Sequence, residues 1–331
     1  MALPQIQEQL DNLYTSTWQL MREEAIDNIF KATPFWHYMT QNNRRTTEQG
    51  GRWIGVPLEY GTHQDTIKWI GRSHDLSEEN ANAKDKEILT TARYEWRYVS
   101  ASVYRSWADD TKNRGKAAMR KIIEAKLRNV EKSLTAEMEA RLFAAGDPDD
   151  DVIEGLAHLV QDDPTASVEV GGIDQSTHEW WRNQYYDMTG EAVTANLIPR
   201  MRTMFNDCSR GQEKPTVIIT DQEGYELYED EVMDYMTIMR ESNTKGDASF
   251  ETILFKGRDL VYSDECPAGK QYYLNLDYLE WTADEDVNFE MTEWKTGRED
   301  LDRVAQILCA GNLTCSNRML QGVLFGINQS E

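Results

Sequence analysis

The chain has 331 residues, with 58 acidic against 35 basic side chains and a net charge of -23. That balance excludes a protein that reads nucleic-acid sequence, because phosphate contacts need a basic footprint. Apolar residues at 40%, with only 8 prolines and 20 glycines, exclude a disordered, collagenous or low-complexity chain.

The length allows two or three packing units. No apolar run approaches the ~18 residues of a membrane-spanning helix, so no membrane partner is expected. Residues 1–20 lack a basic stretch followed by an apolar block, so no secretory signal is expected either. Four cysteines (Cys208, Cys266, Cys309 and Cys315) do not make a disulfide framework at this length. They are expected to be structural thiols. The charge is uneven. Residues 50–146 carry 17 Lys/Arg and 14 Asp/Glu, whereas residues 221–302 carry 7 and 23, a net -16. An acidic surface that keeps the protein soluble explains this. The sharper alternative is a face that repels something anionic.

Residues 1–49 read as an arm with short helices, anchored by Ile26, Ile29, Phe30 and the Phe35-Trp36 pair. Gly50-Gly51 then opens an extended region. Over 52–60, Ile54, Val56, Leu58 and Tyr60 recur at strand spacing on one face. A returning strand is expected at 93–104, where Tyr94, Trp96 and Tyr98 alternate with Arg93, Glu95 and Arg97. Between the two lies a long polar stretch that includes Arg72, Glu78, Glu79, Lys84 and Lys86. Together they predict a two-stranded ribbon with a charged tip. Such a ribbon is marginal alone in water. It is expected to lie on a neighbouring chain, with the Tyr94, Trp96 and Tyr98 face giving apolar contact. The tip charges at Arg72, Glu78, Glu79, Lys84 and Lys86 would pair across the seam.

The strongest helix pattern spans about 115–145. Met119, Ile122, Ile123, Leu127, Val130, Leu134, Met138 and Leu142 form one apolar stripe, supported by i,i+4 pairs such as Glu137–Arg141. Some thirty residues make a rod of about 45 Å, which suits an elongated subunit. From Val152 onward the pattern is mixed α/β. Helices are expected at 196–208 and 221–236, and strands at 215–220, 252–256, 271–276 and 287–294. Two apolar clusters close the chain, at 304–309 and 320–325.

Motifs that carry chemistry are missing. There is no G-x-x-x-x-G-K-[ST], no G-x-G-x-x-G and no G-x-S-x-G. The histidines, His37, His63, His74, His158 and His178, lack metal-binding spacing. Asp147, Asp149 and Asp151 fit the first ligands of a calcium loop, but Val152 stands where glycine is required and His158 where the bidentate Glu is required. Cys309 and Cys315 in one strand would sit ~20 Å apart, too far for one zinc. Trp180-Trp181 reads as one core anchor and one packing neighbour; a sugar platform is the alternative. No metal or cofactor is expected, and the chain is not expected to be an enzyme.

The order of parts is arm, charged-tip ribbon, long helix, mixed α/β region and returning strands. It resembles the major capsid proteins of tailed bacteriophages, which share the HK97-type fold. Two runs carry the resemblance. One is Glu154-Gly155-Leu156, then Val170-Gly171-Gly172-Ile173-Asp174-Gln175-Ser176 and Trp180-Trp181-Arg182-Asn183-Gln184. The other is Leu308-Cys309-Ala310-Gly311-Asn312-Leu313-Thr314-Cys315-Ser316-Asn317-Arg318, leading into Gly322-Val323-Leu324.

The resemblance implies an α+β, HK97-type capsid fold. An N-arm would span 1–49 and an extended β-hairpin E-loop 50–104. A peripheral domain with the spine helix would span 105–184 and an axial domain 185–280, with a return to the peripheral domain over 281–331. It further implies self-assembly into hexamers and pentamers of an icosahedral shell around double-stranded DNA, bound without sequence preference. The expected location is the virion, with assembly in the host cytoplasm. The implied partners are a portal and decoration proteins. A separate scaffolding protein is also expected, since the arm follows Met1 directly. A portal or minor head protein, or an acidic carbohydrate-active enzyme using Trp180-Trp181, are the alternatives.

Overall fold

Two β-sheets and one long helix organise the computed structural model. It describes residues 34–41, 44–61, 88–106, 116–146, 152–233, 253–296 and 302–327, and only the backbone of residues 116–125. The arm supplies helix α1 (Pro34–Gln41) and strand β1 (Arg45–Glu48). The expected long helix is α2 (Lys116–Phe143), 28 residues and roughly 42 Å long. Leu127, Leu134, Met138 and Leu142 are buried along one stripe, with Val130 half-buried between them.

Helix α1 closes over this stripe. Phe35 meets Phe143 at 5.6 Å between ring centroids, and Trp36 sits edge-on to Trp281 at 5.2 Å. A charge placed in the stripe has no partner and costs several kcal/mol. Leu127→Asp is therefore expected to abolish soluble subunit, read as soluble yield and circular dichroism. A soluble, helical Leu127→Asp protein would show that this face is not the core.

The ribbon is a separate two-stranded piece, β2 (Ile54–Glu59) antiparallel to β3 (Leu89–Tyr94). Ile54 and Leu58 are buried and Val56 half-buried, as their alternation required. The return differs from expectation. It does not run on as one strand, because the chain breaks at Glu95-Trp96 and resumes as β4 (Arg97–Arg105), which belongs to another sheet. The break inverts the alternation. Tyr94 faces inward, and beyond the break the odd-numbered Arg97, Val103 and Arg105 are the buried positions. Arg97 turns in because Glu154 meets it there at 3.0 Å.

The five-stranded sheet places β14 (Arg303–Cys315) between β4 and β12 (Leu279–Met291). Parallel β1 lies outside β12, and the short β13 (Lys295–Thr296) extends the β12 side. Strand β12 begins well before the expected 287. Its N-terminal half is buried, whereas its middle carries Asp284, Glu285 and Asp286, which hide the strand pattern. A register shift between Ala283 and Asn288 bends it there.

The six-stranded sheet has the order β7 (Gln184–Asp187), β15 (Gly322–Phe325), β11 (Lys270–Leu274), β8 (Val217–Thr220), β10 (Arg258–Tyr262) and β9 (Ile253–Phe255). Both of its faces are buried, so β8 reads as an unbroken apolar run. Val217, Ile219, Tyr272, Leu274 and Val323 join the core shared with α2 and the first sheet. Ile218, Leu260, Tyr273 and Leu324 join a second core under α4 (Val193–Asp207) and α5 (Gln222–Met233), the helices that follow the short α3 (Leu156–Leu159).

Within 281–331, β14 lies in the first sheet and β15 in the second. All four cysteines are buried and free, and burial pushes the thiols of Cys309 and Cys315 up to about 12.

Candidate assembly surfaces

Three contacts hold the root of the ribbon. The Arg93 amide donates to the Gly171 carbonyl at 2.8 Å. Tyr60 stacks on Trp180 with ring centroids 4.9 Å apart and planes at 17°. The Tyr94 hydroxyl donates to the Cys315 carbonyl at 2.9 Å. Gly171 and Gly172 form the two-residue turn between β5 (Glu169–Val170) and β6 (Ile173–Asp174), with φ +61° and +70°. Only glycine takes such a turn without strain. At Gly171 a side chain would also press on the Ala92 methyl at 3.0 Å and the Tyr94 ring at 3.2 Å. The glycine pair therefore seats the ribbon as well as making the turn.

The three aromatics expected on one ribbon face occupy different surroundings. Tyr94 is a core residue at 1% exposure, Trp96 is half-buried, and Tyr98 is 74% exposed on β4. The apolar surface that the ribbon does offer is Leu89, 70% exposed, together with Trp53, whose ring is flanked by Arg52 at 4.8 Å and Arg93 at 5.1 Å. The charged-tip candidates Arg72, Glu78, Glu79, Lys84 and Lys86 lie outside the described residues.

The capsid-like runs converge on one buried polar centre. Arg318, 0% exposed, donates from Nε to the Leu159 carbonyl and from Nη1 to the Trp181 carbonyl. Its Nη2 reaches Gln175 Oε1 and Asn183 Oδ1. The Gln175 amide in turn donates to Gln161, and Asn183 donates to the Gln161 carbonyl. Arg182 donates to the carbonyls of Gln175 and Ser176, and Asp174 caps Ser176 and Thr177. Trp181 is the core anchor, its indole donating to the Val170 carbonyl, while Trp180 packs beside it. Among the described residues no carboxylate meets the Arg318 guanidinium, and burial pulls its pKa down to about 10. The motif residues are thus scaffold for the ribbon root, and Ile173 lies buried within them. Arg318 and Gln175 stand inside the runs that carry the resemblance, but nothing local to either marks it as the hub.

A second buried group was invisible in the sequence. Glu139, in the middle of the α2 stripe, accepts the amides of Phe35 and Trp36 at 3.2 and 3.4 Å and the Ser263 hydroxyl at 3.4 Å. It thereby satisfies the open N-terminus of α1. Burial raises its pKa from 4.5 to about 7; the three donors oppose that rise, and Glu265 adds to it. The folded state thus holds a proton that the unfolded chain releases. The stability this contributes is full below pH 4.5 and is lost as pH rises through about 7. The wild type is expected to lose more stability between pH 5 and 8 than Glu139→Gln does, by on the order of 2 kcal/mol. Urea midpoints of both proteins at the two pH values measure it. Equal losses would mean that Glu139 is ionised throughout.

Among the described residues no group of His, Cys, Asp and Glu could hold a metal ion, and no helix is long and apolar enough to cross a membrane.

This arrangement is the HK97-type shell-protein fold, common to capsid and encapsulin subunits. The chain is similar to the capsid subunit of cyanophage A-1(L), with TM-score 0.61 and 19% identity over 86% of this chain and 90% of that one. It is also similar to the holo-SrpI encapsulin complex from Synechococcus elongatus PCC 7942, with TM-score 0.54 and 10% identity over 88% and 90% of the two chains. The capsid of the native GTA particle gives TM-score 0.54 and 8% identity over 88% and 90%. No family model and no curated protein matches the sequence.

Proposed function

We propose that the chain is the major capsid protein of a tailed phage, a structural subunit and not an enzyme. It assembles into hexamers and pentamers of an icosahedral shell around double-stranded DNA. The observation that carries this is the likeness to the cyanophage capsid subunit over nearly the whole of both chains. The ribbon supports it independently. Two strands with Leu89 and Trp53 exposed gain little by standing alone, and a neighbouring subunit gives them a surface.

In this reading residues 1–49 are the N-arm and 50–104 the E-loop. The peripheral domain, with the spine helix α2, is 105–184, the axial domain is 185–280, and the chain returns to the peripheral domain over 281–331. The shell forms in the host cytoplasm with a separate scaffolding protein, a portal and decoration proteins as partners, and is then part of the virion. Seams are made by Tyr98 on β4 and by Arg72, Glu78, Glu79, Lys84 and Lys86 at the ribbon tip, with Trp96 at its root.

Expression of the chain alone and with scaffolding protein, followed by electron microscopy, tests the proposal. Closed shells, tubes or free capsomers are expected. A small oligomer of one fixed size under all conditions overturns it in favour of a portal or an enzyme.

A further inference from the structure

In a chain of net charge -23, a group of cations with no carboxylate to meet them stands out. Lys256 occupies the turn between β9 and β10 at φ +49°, a left-handed backbone that lysine rarely adopts. Gly257 follows at φ +77°, completing a two-residue turn matched to the twist of the strands. The turn holds the ammonium 4.8 Å over the Phe205 ring, with Nζ donating to Asn206 Oδ1 at 2.8 Å. Its position is therefore fixed, although the side chain stands at the surface.

Partial burial lowers the pKa of this ammonium, and the cations Arg202 on α4 and Lys214 before β8 lower it further. Arg202 and Lys214 are exposed as well. No carboxylate among the described residues pairs with any of the three. Arg202 and Lys214 repel the ammonium that the turn holds in place in the free subunit. The cost is recovered when an anionic surface covers them.

The complementary surface lies on the same chain. Helix α5 carries Glu223, Glu226, Glu229, Asp230 and Glu231 and no basic residue. Glu226 and Asp230, four residues apart and both exposed, stand on one face. Neither forms an ion pair among the described residues. We propose that the Lys256, Arg202 and Lys214 patch is a contact for a second copy of this chain, and that it receives the Glu226 and Asp230 face of that copy's α5. The proposal rests on the shell-subunit reading and names one seam within it. The contact pairs two unlike sets of residues, so it runs head to tail and closes into a ring where the rotation permits. DNA is the weaker candidate for this patch. Three cations give a small footprint, and the surrounding 221–302 region carries net -16.

Charge exchange tests the pairing. One variant reverses the patch with Arg202→Glu and Lys256→Asp, aspartate being the anion that tolerates the left-handed backbone. A second reverses the helix with Glu226→Lys and Asp230→Lys. A third carries all four changes. All reversed side chains are at the surface, and circular dichroism with thermal unfolding checks that each subunit is folded. Sedimentation and electron microscopy at low and high salt then read assembly.

Each single-surface variant is expected to lose about tenfold or more of its assembled fraction at low salt, and the four-change variant to regain most of it. Assembly of both single-surface variants at the parent level overturns the inference, and so does failure of the four-change variant to recover. A patch variant that assembles normally but retains less nucleic acid overturns it in favour of a nucleic-acid contact. If the unmodified chain forms no higher assembly, the shell reading itself falls, a result distinct from all of these.

Discussion

Arg318→Leu is expected to leave no folded subunit. The guanidinium satisfies four acceptors at once, the Leu159 and Trp181 carbonyls and the side-chain oxygens of Gln175 and Asn183, at 2.7 to 3.1 Å. Leucine fills part of the space but donates nothing. Asn183 Oδ1 still accepts the Gln161 amide, but the other three buried acceptors are left open at about 1–3 kcal/mol each, and together they rival the ~5–15 kcal/mol that holds a whole domain folded. Arg318→Lys keeps the charge but not the planar fork, so it should recover only part of the loss. Soluble yield and the urea midpoint measure both variants. An Arg318→Leu protein that unfolds at the parent midpoint would show that the centre is not structural.

Removal of the ribbon tip should have an equally large effect on a different quantity. Replacing residues 72–87 with a short Gly/Ser link should leave the subunit folded and its unfolding midpoint unchanged. Among the described residues the contacts that seat the ribbon are at its root: the Arg93 amide on Gly171, Tyr60 on Trp180 and Tyr94 on Cys315. In the proposed shell, assembly should be abolished or misdirected, because Arg72, Glu78, Glu79, Lys84 and Lys86 would no longer meet partners on the adjacent subunit. Electron microscopy of the assembly reaction decides. Normal shells from the deleted chain would end the assignment of this segment as an inter-subunit loop.

What the sequence made legible follows from periodicity. Helices α2 and α4 bury a stripe on one side only, so Leu127, Leu134, Met138, Leu197 and Met201 recur at helical spacing and reveal them. Strand β8 is buried on both faces and shows as a plain apolar run. The ribbon was legible as far as Tyr94. Past that point, period-2 reading assumes that one strand continues, and a two-residue break is enough to exchange inside for outside. The Tyr94, Trp96 and Tyr98 face failed for that reason. The Arg318 centre was not legible at all. Its partners are polar, carry no period and come from positions as distant as Leu159, and only the folded chain brings them together. Glu139 is the sharpest case. On a helix face it reads as one more solvated carboxylate, and its role depends on the start of α1 more than a hundred residues earlier.

The order in which the strands are made bears on when the subunit becomes competent. Strand β14 stands between β4 and β12, and β15 between β7 and β11. In each sheet, therefore, an inner member is synthesised after the neighbours it joins. A nascent chain emerging from the ribosome has β7 and β4 each without its one partner among the described strands, however long the chain waits. Pairing across such distances in sequence is slow. Neither sheet can close until residues 303–325 have been translated. Because one of the three contacts at the ribbon root is to Cys315 on β14, the ribbon is not fully seated before then either. Unfinished chains on one polysome thus lack the surfaces by which finished ones would recognise each other, and association waits for release.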